Sequence, residues 1–123
     1  MDSRPFTPTE LVDPAAIARI MEFAELDPTL PAEVVELFLS STEEDLLGLA
    51  IAAEAGDPEG VERTAHRMCS SAAGAGATAL GALCLTLCEG ARKGERCAPN
   101  AAEGVRRMRD AFAVQLRVAL GLC

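Results

Sequence analysis

The 123-residue sequence contains no tryptophan, no tyrosine and one histidine, and its four aromatic side chains are all Phe. A core must therefore be assembled from Ala, Leu, Val, Ile and Met, a palette that suits helices better than sheets. Positive charge is scarce. Eleven Lys and Arg stand against nineteen Asp and Glu, for a net charge of −8. A nucleic-acid surface needs a basic stripe, and an anionic membrane surface attracts polybasic segments, so neither partner is expected. No apolar run approaches the length of a transmembrane helix. The first residues, Met1-Asp2-Ser3-Arg4-Pro5, lack the basic-then-apolar layout of a signal peptide, and a cytoplasmic protein is expected. The Met1 start and the complete set of helices below are those expected of a free-standing protein. Five Cys, an odd number and without a Cys-x-x-Cys pair, argue against a disulfide framework or a structural metal site.

Periodicity then divides the chain into five helices. Residues 1–12 read as a flexible lead-in to a single domain over 13–123. Asp13-Pro14 has the form of an N-cap followed by proline at the first helical position, opening a short helix over about 14–24 with Ile17, Ile20, Met21 and Ala24 inward. Apolar residues at 34, 35, 38, 39, 46, 49, 50 and 53 predict a long second helix over about 31–55. On it, Glu33, Glu36, Glu43, Glu44 and Asp45 read as a solvated outer face. Gly56-Asp57-Pro58 stops this helix and starts the next, over about 58–73, whose stripe is Val61, Ala65, Met68 and Ala72. Ala73-Gly74-Ala75-Gly76 predicts a bend or turn. A fourth helix over about 77–92 carries Leu80, Leu83, Cys84, Leu87 and Ala91, with Cys84 as a small core residue and Cys88 on its flank. Asn100 and Glu103 resemble a capping box for a fifth helix over about 100–121, with Val105, Met108, Phe112, Leu116 and Ala119 inward. Arg106, Arg107, Arg109 and Arg117 make that helix locally basic, at several angles around it. The expected fold is all-α: an up-and-down four-helix bundle with an additional short N-terminal helix, most simply a monomer.

His66 lies about 130° from the centre of its helix's apolar stripe, so it should project to solvent. The residues after it, Ser70 to Ala77, carry almost no side-chain bulk. An exposed imidazole beside small residues can be approached closely by another protein, and it is nucleophilic near neutral pH. A Ser-His-Asp hydrolase would also need a buried acid and an oxyanion site, and neither is indicated.

The segment Ala65-His66-Arg67-Met68-Cys69-Ser70-Ser71-Ala72-Ala73-Gly74-Ala75-Gly76-Ala77-Thr78-Ala79-Leu80 resembles the core of histidine-containing phosphotransfer (HPt) domains. The likeness extends to the opening helix at Leu11–Ile20, to Glu36-Leu37-Phe38-Leu39, and to Ala55-Gly56-Asp57 ahead of the histidine helix, so it spans about residues 11–121. The resemblance implies a phosphoryl relay between receiver-domain aspartates, with His66 as phospho-acceptor through Nε2. Its partners would be response-regulator receiver domains or a hybrid sensor histidine kinase. No cofactor is expected on this chain, since Mg²⁺ belongs to the receiver. The sequence departs from the family pattern where Lys usually stands three residues after the histidine: that position is Cys69, and the usual Gly beside it is Ser70. Positive charge for the phosphate would come from Arg63, Arg67 or Arg92. Receiver docking on such domains uses an apolar patch near the histidine, which here implies Ser71, Ala73, Gly74, Gly76, Leu85 and Cys88. The alternative is a degenerate HPt-like module that binds a receiver or kinase and regulates it without transfer.

Overall fold

The computed structural model describes residues 11–122, which form five helices and no strand: α1 Pro14–Ala24, α2 Leu30–Ala55, α3 Pro58–Ala75, α4 Thr78–Arg92 and α5 Ala101–Ala119. Each boundary has a local cause. Asp13 caps α1, its Oδ1 accepting from the Ala15 N–H at 3.0 Å, and Pro14 follows where no N–H is needed. Gly56 ends α2 in the left-handed conformation at φ +65°, and the Asp57 N–H then donates to the Ala52 carbonyl at 2.9 Å.

The turn between α3 and α4 uses the same device, two residues later than the sequence predicts. Helix α3 continues through Gly74 and Ala75 and stops at Gly76, at φ +81°. The Ala77 N–H closes the turn onto the Ala72 carbonyl at 2.8 Å. A side chain at position 76 would be strained by that φ and would also meet Ala16 Cβ at 2.5 Å. The Asp13 N–H donates to the Gly76 carbonyl at 2.8 Å, and Val12 forms an isolated bridge with Ala77. The start of the described chain is thereby fastened to the end of α3. Leu11 and Val12, which the sequence places in a loose lead-in, are instead core residues, 5% and 6% exposed. Residues 1–10 lie outside the described part.

Helices α2 to α5 close into a ring, with contacts between α2 and α3, α3 and α4, α4 and α5, and α5 and α2, while α1 packs on α2. This is the expected up-and-down bundle. Val35, Leu46, Leu49, Val61, Met68, Leu80, Val105, Phe112 and Leu116 fill its centre. Phe38 and Phe112 meet edge to face, with centroids 5.1 Å apart and planes at 69°. Three details differ from the periodic reading. Met21 and Ala119 face solvent, Ala119 on the outer side of a last turn whose inward residues are Leu116 and Leu120. Asn100 forms no side-chain cap on α5, which spans Ala101–Ala119 and not 100–121.

The basic helix α5 holds a further correction. Arg109 is not one of several surface cations; it is 6% exposed in the seam between α2 and α5. Its guanidinium donates to the Leu39 carbonyl at 3.4 Å, Thr42 Oγ1 at 3.4 Å, Glu43 Oε1 at 3.2 Å and Asp110 Oδ1 at 2.9 Å. Arg106 grips the same Glu43 with both arms, at 2.7 and 2.8 Å. The hydrogen bond from Arg106, then that from Arg109, holds the Glu43 carboxyl well below its ordinary range, at about 2, although partial burial opposes them. Glu43 is therefore a tie between helices and not part of a solvated face.

Candidate functional site

One face of α3 belongs to the core: Val61, Ala65, Met68 and Ala72 are all at most 2% exposed. His66, one step round from Ala65, is consequently turned outward and exposed. It stands between two clefts. The one on the α2 side, about 490 Å³, is lined by Ser41, Glu44, Asp45, His66, Arg67, Ser70 and Ser71. The one on the α4 side, about 410 Å³, is lined by Glu59, Glu62, Arg63, His66, Arg67 and Arg92.

The arginines named from sequence gather here. Arg63, Arg67 and Arg92 share the α4-side cleft with the imidazole. Arg92 arrives from the last turn of α4 and is oriented by Glu62, whose Oε1 accepts from Nε at 3.1 Å. Arg67 is oriented from the opposite side, its Nε 3.3 Å from Asp45 Oδ1 on α2. Ser70 is exposed in the α2-side cleft and its Oγ donates back to the His66 carbonyl at 3.4 Å, which leaves the hydroxyl oxygen open to solvent.

Cys69 does not join them. It is half-buried in the seam between α3 and α4, where its Sγ donates to the Gly81 carbonyl at 3.7 Å. Burial first, and then the neighbouring Cys88, push its thiol up, against the pull of Arg92, so it stays neutral at physiological pH. The seam has a simple antiparallel register, since Cys88 Sγ reaches the Glu62 carbonyl at 3.8 Å further along the same interface. That contact overturns one expectation: Cys88 is 1% exposed and cannot belong to a docking surface. Gly76 leaves that surface as well, buried beneath Asp13 and Ala16 by the bonds that fasten the chain start.

The remaining small residues are accessible. Ala73 and Gly74 are exposed, Ser71 is half-buried, and Leu85 on α4 is 48% exposed. Leu85, Cys69, Ala73 and Gly81 border a shallow groove one turn beyond His66 on the α4 side. On the α2 side, Val34, Leu37, Phe38, Ser71 and Gly74 border an apolar one. The histidine therefore has a polar immediate surrounding with apolar ground beyond it.

Asp45 is the site residue that sequence reasoning misses. Its charge suggests a solvated acidic face, yet it is 7% exposed. Its spacing holds the signal: Phe38, Thr42, Asp45, Leu49 and Ala52 recur at offsets of 4, 7, 11 and 14, the period of one helix face. Burial pushes the Asp45 carboxyl up, and the Arg67 charge offsets this only in part. Among the described residues, no group of three or more His, Cys, Asp or Glu is arranged to hold a metal ion, and no helix is long and apolar enough to cross a membrane.

A four-helix bundle presenting one exposed imidazole among arginines defines a class, and the comparisons with known proteins agree. The family model for the Hpt domain matches residues 33–117, more than half of the chain. The chain belongs to the Hpt family, whose members work in histidine phosphotransfer within phosphorelays. Among solved structures it is similar to histidine-containing phosphotransfer protein B (HptB) from Pseudomonas aeruginosa PAO1. The two share 28% sequence identity with a TM-score of 0.76, over 89% of this chain and 94% of that one. No curated protein sequence matches the chain.

Proposed function

We propose that this protein is a phosphoryl carrier of a multistep His-Asp phosphorelay, with His66 as the phospho-acceptor and receiver domains as its partners. The observation that carries the reading is the convergence of Arg63, Arg67 and Arg92 on an exposed His66 in a chain whose net charge is −8. In the reaction, the lone pair of Nε2 attacks the phosphorus of an aspartyl phosphate. The N–P bond forms as the acyl O–P bond breaks, and the receiver's carboxylate leaves with the bonding electrons. The ring keeps its Nδ1 proton, so its positive charge balances the carboxylate released. The onward step reverses this on a second receiver. Negative charge spread over three phosphoryl oxygens calls for nearby cations, and in a transfer of this kind positioning and electrostatics do most of the catalysis. The family's usual lysine is absent, and guanidiniums from α3 and α4 stand in its stead. Mg²⁺ is supplied by the receiver.

A neutral thiol at position 69, bonded to Gly81, supports this reading in one respect, since it adds no negative charge beside the phosphate. The same substitution favours the second reading, a docking module that binds a receiver or kinase without transfer, because the short route for a cation on α3 is gone.

Phosphoramidate, a small phosphoryl donor, separates the two. Wild type should gain one acid-labile phosphoryl group by intact mass, and His66→Gln should gain none; a receiver domain with Mg²⁺ should then discharge the wild-type adduct. A folded wild type that never charges would leave the docking module as the function. If the carrier reading is right, Cys69→Lys should raise the transfer rate.

A further inference from the structure

The two clefts beside His66 differ in charge. The α4 side holds three arginines and two glutamates, the exposed Glu59 and the half-buried Glu62. The α2 side holds two carboxylates, the exposed Glu44 and the buried Asp45, and Asp45 touches the one guanidinium that borders both clefts, that of Arg67. The pair is lopsided: the Asp45 side chain is 9% exposed and that of Arg67 is 59% exposed. A buried carboxylate with one ionic partner, 3.3 Å away, is an inefficient way to join two helices. An amide of the same shape would fill the space without a charge to desolvate. What the carboxylate does influence is the charge that Arg67 can offer to its neighbour on α3.

We infer that Asp45 is a positioning residue of the phosphotransfer site: it holds the Arg67 guanidinium toward α2 and shares its charge, and so limits how strongly a phosphoryl group on His66 is stabilised. This rests on the carrier reading above. When Nε2 forms its bond to phosphorus and the aspartate carboxylate leaves, a dianionic group takes up position beside Arg67. With Asp45 ionised, the Asp45–Arg67 pair is neutral overall and attracts that group weakly. With an uncharged residue at 45, the guanidinium is free to bind it in full. A relay needs an intermediate that gives its phosphoryl group away, so a carboxylate that restrains one of the three flanking cations keeps His66 from becoming a terminal acceptor.

The test needs no partner protein. Wild type, Asp45→Asn, Asp45→Glu, Arg67→Gln and the Asp45→Asn/Arg67→Gln double variant are brought to equilibrium in phosphoramidate with excess ammonium, at low ionic strength. The ratio of charged to uncharged protein is read by intact mass. Asp45→Asn should raise that ratio about 3- to 10-fold and Arg67→Gln should lower it. Asp45→Glu, which restores the charge, should return it close to wild type. In the Arg67→Gln background, Asp45→Asn should change it less than about 2-fold, because Arg67 carries the effect. An unchanged ratio in Asp45→Asn overturns the inference, and so does an effect of equal size in the Arg67→Gln background, which would make Asp45 act directly on the phosphate. Failure of the carrier reading looks different: wild type itself stays uncharged, and the inference falls with it. Thermal unfolding of Asp45→Asn at or above the wild-type temperature excludes a folding defect as the cause.

Discussion

Glu43 and Asp45 stand two residues apart on α2 and meet opposite fates. Glu43 points into the seam with α5, where Arg106 binds it through both oxygens and Arg109 adds a third contact. Asp45 points into the seam with α3, where it has Arg67 at 3.3 Å. One carboxyl is drawn down to about 2 and the other is pushed up. The difference follows from the number and geometry of compensating donors and from burial. A bidentate guanidinium pair with a second cation behind it outweighs partial burial. A single, longer contact does not outweigh the loss of water around a carboxylate that is nearly enclosed. The first arrangement fastens two helices. The second gives up stability next to the imidazole, as groups at functional sites commonly do.

Breaking the α2–α5 seam should have the largest effect. Arg109→Ala strips Thr42, Glu43 and the Leu39 carbonyl of a buried donor, and should cost about 2–4 kcal/mol in urea denaturation. The loss should appear mainly as a lower midpoint with an unchanged slope.

Acid sharpens the comparison next. The Glu43 carboxyl has a folded value of about 2 against an ordinary 4.5. Its stabilising contribution is therefore complete above about 4.5 and is lost as pH falls through about 2. Because Glu43 is 42% exposed, solvent screening reduces this to about 1 kcal/mol. Glu43→Gln should flatten that part of the stability–pH curve. Asp45 has the opposite sign. Its folded carboxyl binds a proton more tightly than the unfolded one, so the charge costs stability at neutral pH, and the cost is relieved as pH falls through the raised folded value toward the unfolded one. Equilibrium unfolding between pH 7 and 2 of wild type and the two single variants checks both slopes.

The smallest effect belongs to Asp45→Asn at neutral pH, where stability should be unchanged or higher by up to about 1 kcal/mol. A loss as large as that of Arg109→Ala would mean that Asp45 fastens helices as Glu43 does, and the contrast between the two would collapse.

Much of the site is legible in the sequence, through signals that act locally. The phase of Val61, Ala65, Met68 and Ala72 is enough to turn His66 outward, because side-chain direction follows from the helical period alone. Arg109 and Asp45 also lie in apolar phase, with Val105, Phe112 and Leu116 in one case and Phe38, Leu49 and Ala52 in the other. Their charge leads to a surface reading. A charged residue enters a core stripe when a partner waits across the interface, and that partner belongs to a different helix. Glu43 and Thr42 are more than sixty residues from Arg109 in the chain. Cys88 and Gly76 escape for the same reason: their burial comes from α3 and from the chain start, which local periodicity does not register.

Five helices, their inward faces, the glycine stops between them and a histidine aimed away from the core are all written in the order of the amino acids. They follow from φ preferences, capping and the period of 3.6, which act within a few residues. Which carboxylates restrain the arginines beside that histidine, and which of two acids on one helix is a tie and which a bias, were settled only when the helices packed. These depend on the register between helices, set by the whole bundle and by electrostatics across its seams, where the dielectric and the available partners are properties of the assembled fold.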